Sequence, residues 1–218
     1  TGGWYGEVPT GFEDTVALVA GGYQNLALRA DGTMVAWGGT TPPAISDAVA
    51  IEVGEAHSLA LRSDGTVVAW GANNYGQLNL PIGLGDVVAV AAGGNHNLAL
   101  RSDGTVVAWG INWEGQCNVP VGLENVVAIA AGGYYYATHS LALKADGTVV
   151  AWGFNMHGQC NVPEGLTDVV AISAGRGGLH NLALKSDGTV AAWGYNRYGQ
   201  CNVPEGLMNV VAVSAGGY

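Results

Sequence analysis

The sequence predicts an all-β fold, a β-propeller of four-stranded antiparallel blades, with five to six blades in this chain. Three observations carry that prediction. A phrase of the form "DGTVVAWG" occurs five times, at residues 31–38, 64–71, 103–110, 146–153 and 187–194. Its tryptophans (Trp37, Trp70, Trp109, Trp152 and Trp193) stand 33, 39, 43 and 41 residues apart, the period of a repeated supersecondary unit. Each phrase also holds Asp-Gly between two apolar segments, the strongest short signal for a tight hairpin.

Each element of the repeat follows from its residues. Strand a, "VVAVA" at 87–91, is apolar at nearly every position, as an inner strand buried on both faces would be. Its small residues suit a crowded axis. Strand b is "NLALR" (97–101) and strand c is "TVVAW" (105–109), joined by the Asp-Gly turn. Strand d is the short "QCNVP" (116–120), where proline is tolerable because an outer edge strand need not donate every N–H. The chain then divides, within one repeat domain, at about 1–38, 39–71, 72–110, 111–153, 154–194 and a partial 195–218. A linear solenoid is the rival, but Asp-Gly hairpins and the lack of helical patterns favour radial repetition. Strand-a segments begin six times, at Val16, Ala48, Val87, Val126, Val169 and Val210, against five b–c hairpins, and a d-like "GEVP" stands at 6–9. This arithmetic predicts an incomplete ring with an exposed edge, open to self-association.

Composition excludes several functions. Net charge is −10 with seven scattered basic residues, the opposite of a phosphate-binding surface. No apolar run approaches the roughly 18 residues of a membrane span. No phosphate-binding glycine motif or nucleophile motif is present. Glu55, Glu114 and His157 lie in different copies with no reason to converge, so no enzyme and no cofactor are expected. His57, His96, His139 and His180 share one position before strand b. Equivalent positions diverge around a ring, whereas metal ligands must all lie within about 2.1 Å of one ion. A hydrogen bond from each histidine to a neighbouring loop carbonyl is expected instead. Cys117, Cys160 and Cys201 fall one repeat apart in "GQCNVP", beyond bridging distance, and are expected as free thiols.

In such a blade the b–c turns and d–a connectors share one face, and the a–b and c–d loops the other. The first, lower face takes thirteen of the 17 acidic residues and is nearly the same in every copy. The upper face differs from copy to copy and takes all nine tyrosines. Its fourth a–b loop, "GGYYYATHSLAL" (132–143), has four residues more than "GGNHNLAL" (93–100) and carries Tyr134, Tyr135 and Tyr136. Aromatic rings give large contact area with few torsions to freeze, so this face is expected to bind a protein partner. The candidate contact residues are Tyr23, Tyr75, Trp113, Tyr134, Tyr135, Tyr136, Phe154, Arg176, Tyr195 and Arg197. Tyr5, Tyr75 and Tyr198 precede the same glycine, which is also what packing residues set by the repeat would do.

The stretch "AAGGNHNLALRSDGTVVAWGINWEGQ" (91–116) resembles the repeat of the regulator of chromosome condensation family, with its G-x-H-S-x-A-L, D-G and W-G-x-N-x-x-G-Q elements. The compact copies of about 40 residues, with "VP" before the next strand a, are most similar to bacterial propellers that inhibit β-lactamases. The resemblance implies a propeller, commonly seven-bladed, that binds protein without catalysis, and for the inhibitor-like members a class A β-lactamase partner. It would place the protein outside the cell or at its surface. A carbohydrate-binding propeller and a structural module of a larger bacterial surface protein are the alternatives. Nucleotide exchange, as in eukaryotic members, fits less well, since the chain is acidic and lacks a basic tail.

Overall fold

The repeated phrase folds in the same way five times. The computed structural model describes residues 13–22 and 24–217. Tyr23, Trp4, Tyr5 and the "GEVP" segment lie outside them. The described residues hold five antiparallel sheets and no helix. Sheet one comprises β1 (Thr15–Ala20), β2 (Gln24–Arg29) and β3 (Met34–Gly38). Sheet two comprises β4 (Ala48–Val53), β5 (His57–Arg62) and β6 (Val67–Gly71), and sheet three β7 (Val87–Ala92), β8 (His96–Arg101) and β9 (Val106–Gly110). Sheet four comprises β10 (Val126–Tyr134), β11 (Ala137–Lys144) and β12 (Val149–Gly153). Sheet five comprises β13 (Val169–Ala174), β14 (His180–Lys185) and β15 (Val190–Gly194). Order within each is a-b-c.

Two sequence expectations need correction. The blades hold three strands, not four. The "GQCNVP" segments are turns and irregular backbone, because side chains have taken the amides a ladder would use. Asn112 Oδ1 accepts from Cys117 N at 2.9 Å and Asn155 Oδ1 from Cys160 N at 2.8 Å, and the proline after each offers no donor. Strand a is also not buried on both faces. A β-bulge at its second residue turns a valine to solvent in every sheet, at Val16, Val49, Val88, Val127 and Val170.

The core lies between blades. Leu59, Leu61 and Val67 of sheet two pack with Val87, Val90, Ala92, Ala99 and Trp109 of sheet three. The same interface recurs between sheets one and two, three and four, and four and five. Trp70, Trp109, Trp152 and Trp193 of strand c therefore each fill the seam to the preceding sheet. Trp109 Nε1 donates to Gln77 O at 3.0 Å, Trp152 to Gln116 O at 2.9 Å and Trp193 to Gln159 O at 3.0 Å. Trp70 Nε1 is buried without a partner, because the first repeat reads "GGTTPP" where the others supply this glutamine.

A belt of buried side chains completes each seam. His57 Nε2 lies 2.7 Å from Asn97 Oδ1, His96 Nε2 3.0 Å from Ser140 Oγ, and His139 Nε2 2.6 Å from Asn181 Oδ1. Asn97 Nδ2, Ser140 Oγ and Asn181 Nδ2 donate to Gln77 O, Gln116 O and Gln159 O, so each histidine Nε2 must carry the donated proton. The expected loop carbonyl is replaced by a side chain of the next blade. Sheet one uses Gln24 in the histidine's place, donating from Nε2 to Ser58 Oγ. The rings lie tight on backbone: a Cβ at Gly93 would stand 2.4 Å from His96 Cε1.

All six strand-a segments, the sixth at 210–217 included, line one central cavity of about 700 Å³. The sixth segment is not a regular strand; Val210 N donates to Gly188 O and Ala215 N to Ser173 Oγ.

Candidate binding face

The upper face is built from one rigid frame with changing tips. In the loop after sheet two Asn73 Oδ1 accepts from Leu78 N at 2.9 Å, and Asn73 Nδ2 donates to Asn79 Oδ1 at 2.9 Å. Gln77 Oε1 accepts from Tyr75 N at 2.8 Å, and Gly76 turns the chain at φ 78°. Asn112 with Asn118, Asn155 with Asn161 and Asn196 with Asn202 make the same clasp after the next three sheets. The two tip residues vary most: Asn74 and Tyr75, Trp113 and Glu114, Met156 and His157, Arg197 and Tyr198, with Leu78 replaced by cysteine in the later copies. The loop backbone is thus fixed while the side chains it presents vary.

The tyrosine insertion is a hairpin, not a loose loop. Its four extra residues lengthen both strands, so β10 and β11 have nine and eight residues where β7 and β8 have six. Pairing runs to Tyr134 opposite Ala137, leaving a two-residue turn of Tyr135 and Tyr136. Such a turn needs positive φ, and Tyr135 adopts 49°. The hairpin leans over repeat three, where Asn95 Nδ2 donates to Tyr135 O at 3.0 Å. The Tyr135 N–H reaches the Glu55 carboxylate of repeat two, which burial raises above the ordinary carboxylate value.

This placement assembles an aromatic cluster from the loops after sheets two and three and the hairpin of sheet four. Tyr136 packs on Trp113 with centroids 4.7 Å apart, and Tyr75 meets both edge-on at 5.5 and 5.8 Å. The Tyr75 and Tyr136 hydroxyls are 2.8 Å apart, and Tyr134 and Tyr135 pack edge-on at 4.3 Å. The three inserted tyrosines keep 42–43% of their surface exposed and Trp113 keeps 68%, so the cluster is an open surface. Phe154, His157, Tyr195 and Tyr198 form a second chain of edge contacts, with Arg197 5.9 Å above the Tyr198 ring. Tyr198 is 72% exposed and Met156 80%, too open for packing residues.

Of the candidate residues, the structure brings Tyr75, Trp113, Tyr134, Tyr135 and Tyr136 together, and Phe154, Tyr195 and Arg197 together. Arg176 joins neither cluster. It lines the central cavity, donates to Ala20 O at 3.1 Å and pairs with Glu52, tying repeat five to repeats one and two. Gly133 N to Gly175 O and Gly177 N to Gly133 O fix the tyrosine hairpin to the same loop. Sequence reasoning passed over Met156, His157 and Tyr198 as contact residues; their place at the variable tip was the available signal. Among the described residues, no group of three or more histidine, cysteine or acidic side chains is placed to hold a metal. Each thiol instead points at a carbonyl of its own loop, and burial raises Cys117 to about 12 and Cys160 to about 11.

The five sheets around one cavity, with interlocked seams and a variable aromatic face, define an all-β repeat protein of the propeller type. Residues 48–77, 87–116, 126–159 and 169–200, more than half of the chain, match the model of the regulator of chromosome condensation (RCC1) repeat, and the chain belongs to that family. Among solved structures it is similar to Prp20p of Saccharomyces cerevisiae, with TM-score 0.75 and 23% identity over 93% of this chain and 67% of that one. Prp20p binds to Gsp1p and histones. The ectodomain of the Physcomitrella patens receptor kinase CR4 is similar at TM-score 0.73 and 24% identity, over 94% of this chain and 56% of that one. The Arabidopsis thaliana ACR4 ectodomain is similar at TM-score 0.72 and 20% identity, over 94% and 74%. The chain thus spans about 56–74% of the lengths of these three. No curated protein matches it.

Proposed function

We propose that the protein is a non-catalytic binding propeller that recognises a protein partner through its upper aromatic face. One observation carries this reading. Four loops share the same clasp, yet no two of their tips hold the same pair of residues, and these tips and the one lengthened hairpin expose aromatic side chains. Residues kept for packing would be buried and repeated. Partner recognition uses exposed, clustered Tyr and Trp on a rigid support. A sugar-binding propeller would repeat its stacking residues from blade to blade, whereas among these tips only the tyrosine of Tyr75 and Tyr198 recurs.

The finer reading is that the partner is a class A β-lactamase, met outside the cell or at its surface and blocked sterically. The likeness of the compact repeats to inhibitor propellers supports it. Titration against a panel of class A β-lactamases tests it, with a glycan array in parallel. Binding of one enzyme, lost on changing Trp113, is the expected result. Glycan binding with no affinity for any enzyme would overturn both readings.

A further inference from the structure

The lower face carries an apolar ring inside an acidic one. At the same repeat position stand Val16, Val49, Val88, Val127, Val170 and Val211, exposed by 54–63% in the first five and 93% in the last. Five of them sit at a β-bulge. Each lies at the start of an inner segment. There Val87 N donates to Gly65 O, Val126 N to Gly104 O, Val169 N to Gly147 O and Val210 N to Gly188 O of the preceding Asp-Gly turns. All six segments surround one cavity that begins two or more residues further along each, so the valines form a ring on the lower face outside its lining.

The repeats argue against indifference at this position. Exposed connector residues a few places earlier drift from copy to copy, as Ile82, Val121, Glu164 and Glu205 show, yet the bulge position is valine all six times. A solvated bulge has no need of an aliphatic side chain. Around this ring lie the acidic turns and connectors, thirteen carboxylates against Arg29, Arg62, Arg101, Lys144 and Lys185. A second copy would bring like charge against like charge.

We propose that this lower face is a second docking surface, for a cationic amphipathic segment of a partner protein that seats apolar side chains on the valine ring and basic ones on the carboxylates. It shares no residue with the upper face, so the two readings fail separately. Fluorescence polarisation with a labelled Lys/Leu amphipathic peptide tests it, against a Lys/Ser peptide of equal charge. The wild-type protein should bind the Lys/Leu peptide more tightly than the Lys/Ser one, and more weakly as salt rises. Combined Val88→Thr, Val127→Thr and Val170→Thr, isosteric and polar, should lose roughly tenfold or more in affinity, and Trp113→Ala should lose none. If the threonine variant melts early, the matching alanine triple variant takes its place. No binding, equal binding of the two peptides, or affinity indifferent to the valines would overturn the proposal. So would a valine-dependent dimer in sedimentation, which would make the occupant a second copy.

Discussion

At the residue scale the seams are governed by a few buried polar groups. Burial lowers His96 to about 3 and His139 to about 4, and lowers His57 and His180 below the ordinary 6.5. The unfolded chain therefore binds more protons than the folded one below about pH 6.5. Stability is full above that value and falls as pH drops towards the folded-state values, by up to about 1.4 kcal/mol per pH unit for each histidine. Gln24 already performs the same bond in sheet one. His96→Gln should thus keep the contact to Ser140 and flatten the dependence of stability on pH between 6.5 and 4, as measured by denaturant unfolding at each pH. An unchanged slope would remove His96 as a source of acid sensitivity. The glutamines make a matched pair. Gln116 Nε2 donates to Thr138 Oγ1 at 2.8 Å, whereas Gln159 Nε2 is buried with no partner, because Leu179 stands where Thr138 stands. Gln116→Ala should cost about 1 kcal/mol more stability than Gln159→Ala. The histidine position was legible from the repeat, but its acceptor was not: it lies about one repeat further along, on another blade.

At the scale of elements, strands a, b and c and their Asp-Gly turns were legible, because apolar segments and turn residues are local signals. The fourth strand was misread for a physical reason. "QCNVP" has strand-like residues, but Asn112, Asn155 and Asn196 hold its amides from five residues away. The tyrosine hairpin was legible as an insertion and not as a strand extension, since Tyr-Tyr is no usual turn sequence. Tyr135 pays for that turn with left-handed backbone of about 1–2 kcal/mol. Tyr135→Gly loses the ring contact to Tyr134 but relieves the backbone; Tyr135→Ala loses the ring and keeps the strain. The glycine variant should therefore melt above the alanine variant, by about 1 kcal/mol in stability. The reverse order would show that the left-handed backbone at this position stores no strain.

At the scale of the whole molecule, folding and recognition draw on different residues. The seams use strand leucines, valines and tryptophans with the histidine belt, all repeated; the upper face carries tips and one hairpin that vary between copies, with only the tyrosine of Tyr75 and Tyr198 recurring. That division made the proposed binding face visible in the sequence as variation between copies. It did not reveal Arg176, whose reach across the cavity to Ala20 and Glu52 spans more than a hundred residues of sequence. The direct test is the affinity of Trp113→Ala for whichever partner the wild-type chain binds, measured by calorimetric titration with melting temperature recorded on the same sample. The upper-face account predicts about 30-fold weaker binding, a loss of about 2 kcal/mol, with nearly unchanged melting. Wild-type affinity with a melting temperature lowered as by a core aromatic deletion, about 3 kcal/mol or more, would contradict it.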